Sequence, residues 1–327
     1  MWGEKMPDLE LNFEDRAYWD KISEEYCTRS IGVDGSDYGT YWSEYEDLEE
    51  TEAVWKYFKY CLKTQNRFFF DHPLIPLIVK HFQKHVYVLP KDTEIYRARI
   101  DKERKYAEQC WLAKVYISNI KNTGDDNPFA EDYREEAAKI AADPKYQEFV
   151  ARHSEGFEGF DAQGSGAPPY HTVPAGRCNP ERVVFLYASN DEHTATAEVR
   201  PYISDAISIA KLSVKKDLKL VDFYFEYDEI GGRCIDNWFF DKIREEFSLL
   251  NKGDKDEYLI TQYLSLLAHR HGYDGIRFKS SLVEQGENYV IFDAEICPPI
   301  SSKMYILRKV EYDLFTMILP EEKELIQ

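Results

Sequence analysis

Apolar positions change their rhythm once along this chain. Between 51 and 88 they recur at helical spacing, with Val54, Tyr57, Phe58, Cys61 and Leu62 on one face. Pro73 and Pro76 break that pattern, 77–87 resumes it, and the turn Leu89-Pro90-Lys91-Asp92 closes it. A boundary near residue 92 follows, with a mainly helical N-terminal domain over 1–92.

Beyond it the period shortens. Residues 93–100 alternate and are β-rich, which predicts a strand with Arg97 and Arg99 on one face and Tyr96 and Ala98 on the other. The interval 101–154 reads as a surface insertion, with a polar loop at 122–128 and a charged helical stretch at 131–153 interrupted by Pro144. Residues 155–180 are rich in Gly and Pro, too irregular for a regular element and too long for a plain turn. Strands are then predicted at 182–188, 206–212, 219–225, 275–278, 289–292 and 304–310, with helices at 191–199, 236–250 and 257–271. Asn190 or Asp191 caps the first of these helices. The fold class is α+β with short strands, followed by a tail at 313–327.

Composition narrows the function classes. The 327 residues carry 41 Lys plus Arg against 60 Asp plus Glu, a formal charge of −19 that disfavours an extended nucleic-acid footprint. No apolar stretch suggests a membrane span, and the start MWGEKMPDLELNFEDR has no signal-peptide pattern, so a cytoplasmic location is expected. The six cysteines lie far apart, with no C-x-x-C pair and no zinc spacing, so no metal is expected. Walker A and G-x-G-x-x-G loops are absent.

Polar residues collect at predicted strand ends and in the irregular loop. They are Tyr96 and Arg97; Arg177 within GRCNP; Tyr187 and the following Ala188-Ser189; Glu198 within ATAEVR; and Lys279, Ser280 and Ser281 after GYDGIRF. Each alone has a plain structural explanation: a solvated arginine, a core tyrosine, an exposed helical carboxylate, a turn serine. In their order along the chain, YRAR, GRCNP, VVFLYAS, ATAEVR, YLITQYL, GYDGIRFKSS and ENYVIF resemble the RES domain family, over 93–312 with 101–154 inserted.

That resemblance implies a core like that of ADP-ribosyltransferases and an enzyme that degrades NAD at the nicotinamide–ribose bond, as an NAD+ phosphorylase or NAD+ glycohydrolase. It also implies a toxin of a toxin–antitoxin pair, with an Xre-type antitoxin as partner. NAD is then a substrate and no prosthetic group is needed; inorganic phosphate or water is the acceptor, and the sequence leaves both open. Arg97 and Arg177 suit the diphosphate, Tyr187 the nicotinamide or its ribose, and Glu198 the positive charge that develops on the ribose. Ser280 is expected to hydrogen-bond the cofactor or the nucleophile, with Ser281 as the alternative and Lys279 as a cation for phosphate. Many members of the family have Pro where this chain has Lys279.

Two other readings differ in class: an ADP-ribosyltransferase acting on a macromolecule, and an inactive nucleotide- or partner-binding module. In the N-terminal domain Arg67 and His72 satisfy the R-x4-H spacing of HEPN ribonucleases. The intervening Phe68-Phe69-Phe70, Pro73 and the acidic surroundings favour core packing, which makes the domain a regulatory cap or interaction surface. A homo-oligomer stays open.

Overall fold

The computed structural model describes residues 13–32, 41–65, 71–224, 235–248 and 258–311. Helices α1 (Arg16–Gly32), α2 (Tyr41–Thr64) and α3 (Leu74–Lys84) come first, then strands β1 (Val86–Leu89) and β2 (Glu94–Ile100). The interval 101–154 is helical, with α4 (Lys105–Lys121), α5 (Ala130–Ala141) and α6 (Pro144–Ser154), followed by a single turn, α7 (Ala162–Ser165). Next come β3 (Leu186–Ser189), α8 (Glu192–Glu198), β4 (Ala206–Ser213), β5 (Leu218–Asp222), α9 (Ile235–Ser248) and α10 (Leu259–Arg270). Strands β6 (Gly275–Lys279), β7 (Glu287–Ile291) and β8 (Pro299–Ile306) complete the described chain.

The strands form one eight-stranded sheet in the order β1-β5-β6-β7-β3-β2-β4-β8 among the described residues. Every pairing is antiparallel except β5 with β6. The protein is thus α+β, with a mixed sheet. One face of the sheet is covered by helices. Its buried cluster runs from Phe58, Leu77 and Phe82 through Phe240, Ile243 and Leu264 to Val221, Ile276 and Val290, so α2 and α3 share a core with α9, α10 and the strands. Among the described residues no helix is long and apolar enough to cross a membrane.

Several elements differ from their sequence expectation, for physical reasons. Helix α3 begins at Leu74 and holds Pro76 in its first turn, where the missing N–H is one the helix leaves unpaired anyway. Its buried residues Leu74, Leu77, Ile78, His81 and Phe82 form one stripe. The helix stops at Lys84 because Val86-Tyr87-Val88-Leu89 pairs with β5 as an edge strand. The expected strand at 182–188 shortens to β3, since Arg182 takes a left-handed φ of 65° in a turn. β8 starts earlier than the expected 304–310, because Ser302 is buried and its polar hydroxyl, which donates to Phe160 O and accepts from Gly159 N, disguises the alternation.

A buried arginine ties α6 to α4 and to the segment that follows it. Arg152 donates to Gln109 Oε1 and to the carbonyls of Phe157 and Gly159, and its guanidinium lies 4.6 Å from the Tyr106 ring centre.

Candidate active site

A gap in the sheet makes the cleft. β2 pairs with β4 from Glu94↔Ser213 to Ile100↔Ile207, and β3 pairs with β7 from Leu186↔Ile291 to Ser189↔Asn288, but β2 meets β3 only at Tyr96↔Ser189. Past that pair the strands part. Tyr96, Arg97 and Ala98 on one side and Tyr187, Ala188 and Ser189 on the other line a cavity of about 610 Å³. That volume falls within the range of small-molecule sites.

Glu198 is brought to this cavity by α8. Asp191 caps the helix, accepting from Thr194 N at 2.7 Å, which selects it over Asn190. Ala195 and Val199 pack against Ala98 and Tyr96, fixing the helix against β2. The exposed Glu198 at its last turn lines the cavity. Its Oε1 accepts from Ser280 Oγ at 2.7 Å and from Asn288 Nδ2 at 2.7 Å. Ser280 Oγ in turn accepts from Leu282 N and Val283 N. The loop carrying Ser280 comes close because Gly286 lacks a side chain: a Cβ there would lie 2.8 Å from Thr194 Cγ2 and 2.9 Å from Ser280 Cβ.

The irregular segment 176–180 forms a second wall. Tyr187 Oη donates to Asn179 Oδ1 at 2.7 Å and accepts from Cys178 N at 2.9 Å. Burial pushes the Tyr187 phenol well above its ordinary value, so it remains protonated as this clamp. Gly176 is required beneath it, since a Cβ would meet Asn179 Oδ1 at 2.5 Å. Gln262 Nε2 donates to Gly176 O at 2.8 Å and Thr261 Oγ1 to Arg177 O, tying the loop to α10. Arg177 donates to Phe247 O, and its guanidinium lies 5.9 Å from the Phe278 ring centre.

Arg97 differs from its neighbour on the same face of the strand. Arg99, two residues along the strand, is satisfied by the carbonyls of Gly164 and Gly166 at 2.7 and 2.9 Å. Arg97 Nη1 is enclosed and has no hydrogen-bond partner among the described residues. Burial, reinforced by Arg99, pushes its guanidinium down to about 9, which leaves it charged at neutral pH. An enclosed cation with an unmet donor suits an anionic ligand.

Of the residues singled out in the sequence, Tyr96, Arg97, Arg177, Tyr187 and Glu198 therefore line one cavity. Ser280 stands behind Glu198 and not among the lining residues, with its only hydrogen directed at the carboxylate. Ser281 is exposed, and Lys279 sits at the end of β6 opposite Glu287; neither is among the lining residues. Arg67 lies outside the described residues. His72 is buried against the rings of Tyr57 and Phe58, and its Nδ1 accepts from Leu74 N.

Sequence reasoning passed over Asn288, Tyr258 and Arg200 and named Ser189 without giving it a role; all four line the cavity. Asn288 and Ser189 sit inside the motifs ENYVIF and VVFLYAS, where a polar residue in a buried strand was the available signal. Arg200, with a left-handed φ of 48° just past α8, had no comparable signal.

An α+β protein with a ligand-sized cleft at a break in its sheet is thus defined by structure alone. Comparison with protein families supplies the rest: the RES domain model matches residues 147–312, just over half of the chain, and the protein belongs to the RES domain family. No curated protein and no solved structure matches the chain. The matched span holds Arg177, Tyr187, Glu198, Ser280 and Asn288, while Arg97 precedes it in sequence and reaches the same cleft through β2.

Proposed function

We propose that this protein degrades NAD by cleaving the bond between nicotinamide and ribose, on a core related to that of the ADP-ribosyltransferases. RES membership associates it at family level with NAD chemistry and with toxin–antitoxin systems. The observation that carries the reading is an unpaired pair: Arg97, enclosed with an unmet donor, and Glu198, held through one oxygen, line the same cavity without bonding each other. A substrate that is anionic at one end and develops positive charge at the other satisfies both, and a dinucleotide with a cationic nicotinamide is such a substrate.

In this reading Arg97 holds the diphosphate, with Arg177 and Arg200 adding positive charge to the walls. The Tyr187 ring offers a flat apolar surface while its hydroxyl stays engaged in the clamp. As the ribose–nitrogen bond breaks, its electron pair leaves with nicotinamide, which departs neutral and needs no acid. Glu198 stabilises the cationic ribose, and an oxygen lone pair of water or phosphate closes the new bond at the same carbon, the proton of the acceptor passing to solvent. For a phosphate acceptor, Arg200 is better situated than Lys279, since it lines the cavity. Control by an Xre-type antitoxin or by the N-terminal helices would protect the host from NAD loss.

Purified protein incubated with NAD, with and without phosphate, should release nicotinamide together with ADP-ribose or its 1″-phosphate, resolved by mass. Glu198→Gln should slow this by about 100-fold or more. ADP-ribose attached to a macromolecule instead would make the protein a transferase, and unchanged NAD would leave a binding module.

A further inference from the structure

Two donors hold Glu198, and one of them, Asn288, belongs to a rung that crosses the sheet. Tyr96 on β2, Ser189 on β3, Asn288 on β7 and Phe278 on β6 are successive register partners, so their side chains share a face. Ser189 and Asn288 are only 3% and 6% exposed. Buried polar groups on strands this apolar require partners, and here the two partner each other: Ser189 Oγ donates to Asn288 Oδ1 at 2.8 Å.

The chemistry of the atoms gives this chain one direction. An ionised carboxylate only accepts, so the Asn288 amide must present its nitrogen to Glu198 and turn its oxygen away. That oxygen then needs a hydrogen, and the Ser189 hydroxyl supplies it. On the other side Ser280 receives two backbone N–H groups, which leaves its own hydrogen for Glu198. Both donors converge on Oε1, and Oε2 accepts no hydrogen bond among the described residues.

We propose that Asn288, oriented by Ser189, is the positioning residue of Glu198: it pins Oε1 and so reserves Oε2 for the ribose of the substrate. The proposal rests on Glu198 being the charge-stabilising carboxylate, but its test does not depend on NAD being the substrate.

The titration of the Glu198 carboxyl, followed by carbon NMR in selectively labelled protein, is the primary readout. Asn288→Ala removes a donor to the charged form, and Asn288→Asp adds a like charge. Both should move the titration to higher pH. In steady-state NAD turnover kcat should fall about tenfold or more while KM stays within about twofold, and the acid limb of the pH profile should shift upward. Ser189→Ala should shift the titration in the same direction, with Ser189→Thr restoring it. An unmoved Glu198 titration in the folded Asn288 variants overturns the proposal. Should those variants not fold, an unmoved titration in Ser189→Ala overturns it equally. Absence of NAD turnover in the unaltered protein would instead overturn the substrate assignment, and the titration shift would still decide the role of Asn288.

Discussion

Arg97 sits in surroundings that do little for the fold. A guanidinium enclosed beside Arg99, with Nη1 unmet, costs the folded state stability. Arg97→Met should therefore raise the melting temperature by a few degrees while lowering NAD turnover by about 100-fold or more, measured by thermal denaturation and nicotinamide release. A melting temperature that falls instead would mean that Arg97 is compensated within the fold. This opposition between stability and activity could not be read from YRAR. Both arginines of that motif look alike in sequence, and only the carbonyls of Gly164 and Gly166, brought in from a distant loop, distinguish the satisfied Arg99 from the unsatisfied Arg97. Asn288 was hidden in the opposite way: asparagine in a short segment suggests a turn, and its purpose depends on Ser189 and Glu198, each about 90 or more positions away in sequence.

Among the elements, α8 and the loop between β6 and β7 act as one unit, joined at Gly286. Gly286→Ala would drive a methyl group into Thr194 and Ser280. The loop should retreat from α8, with a stability loss of about 1–3 kcal/mol and a larger proportional fall in kcat, because Ser280 leaves Glu198. Denaturant titration and turnover on the same preparation would compare the two. Elements rich in β-branched residues or with helically spaced apolar positions, such as β2, β4 and α10, were legible in sequence. Those whose burial is set by neighbours were not: β8 conceals its alternation behind Ser302, and α4 presents Trp111, Ile117 and Ile120 to the outside, so no single apolar stripe marks it. Within the matched family span the candidate site was legible from motif order, and the position of Ser280 behind the carboxylate required the fold.

At the scale of the molecule, the helices of the N-terminal region are built into the main core through aromatic packing. His81 of α3 lies 5.2 Å from the Phe240 ring of α9, centre to centre, and neither of its nitrogens has a hydrogen-bond partner among the described residues. Burial, with Lys84, His85 and Lys80 adding to it, pushes His81 down from an ordinary 6.5 to about 3. Below the ordinary value an unfolded chain takes up a proton that the folded chain refuses. The His81 environment therefore leaves stability intact above about pH 6.5 and erodes it progressively as the pH falls toward 3. Melting curves should drop steadily over that interval, and His81→Phe should flatten part of the slope; an unchanged slope would assign the acid sensitivity to other groups.

The charge of −19 belongs to the whole chain, whereas the cleft is lined by Arg97, Arg177 and Arg200 against Glu198. The lone rung between β2 and β3 gives that cleft a mechanical character. It divides the sheet into two leaves: Arg97 rides on one, while Ser280 and Asn288 ride on the other and hold Glu198 across the seam. A dinucleotide in this cleft would meet Arg97 on one leaf and, on the other side of the seam, the carboxylate that the second leaf holds, so a single substrate would bridge the two.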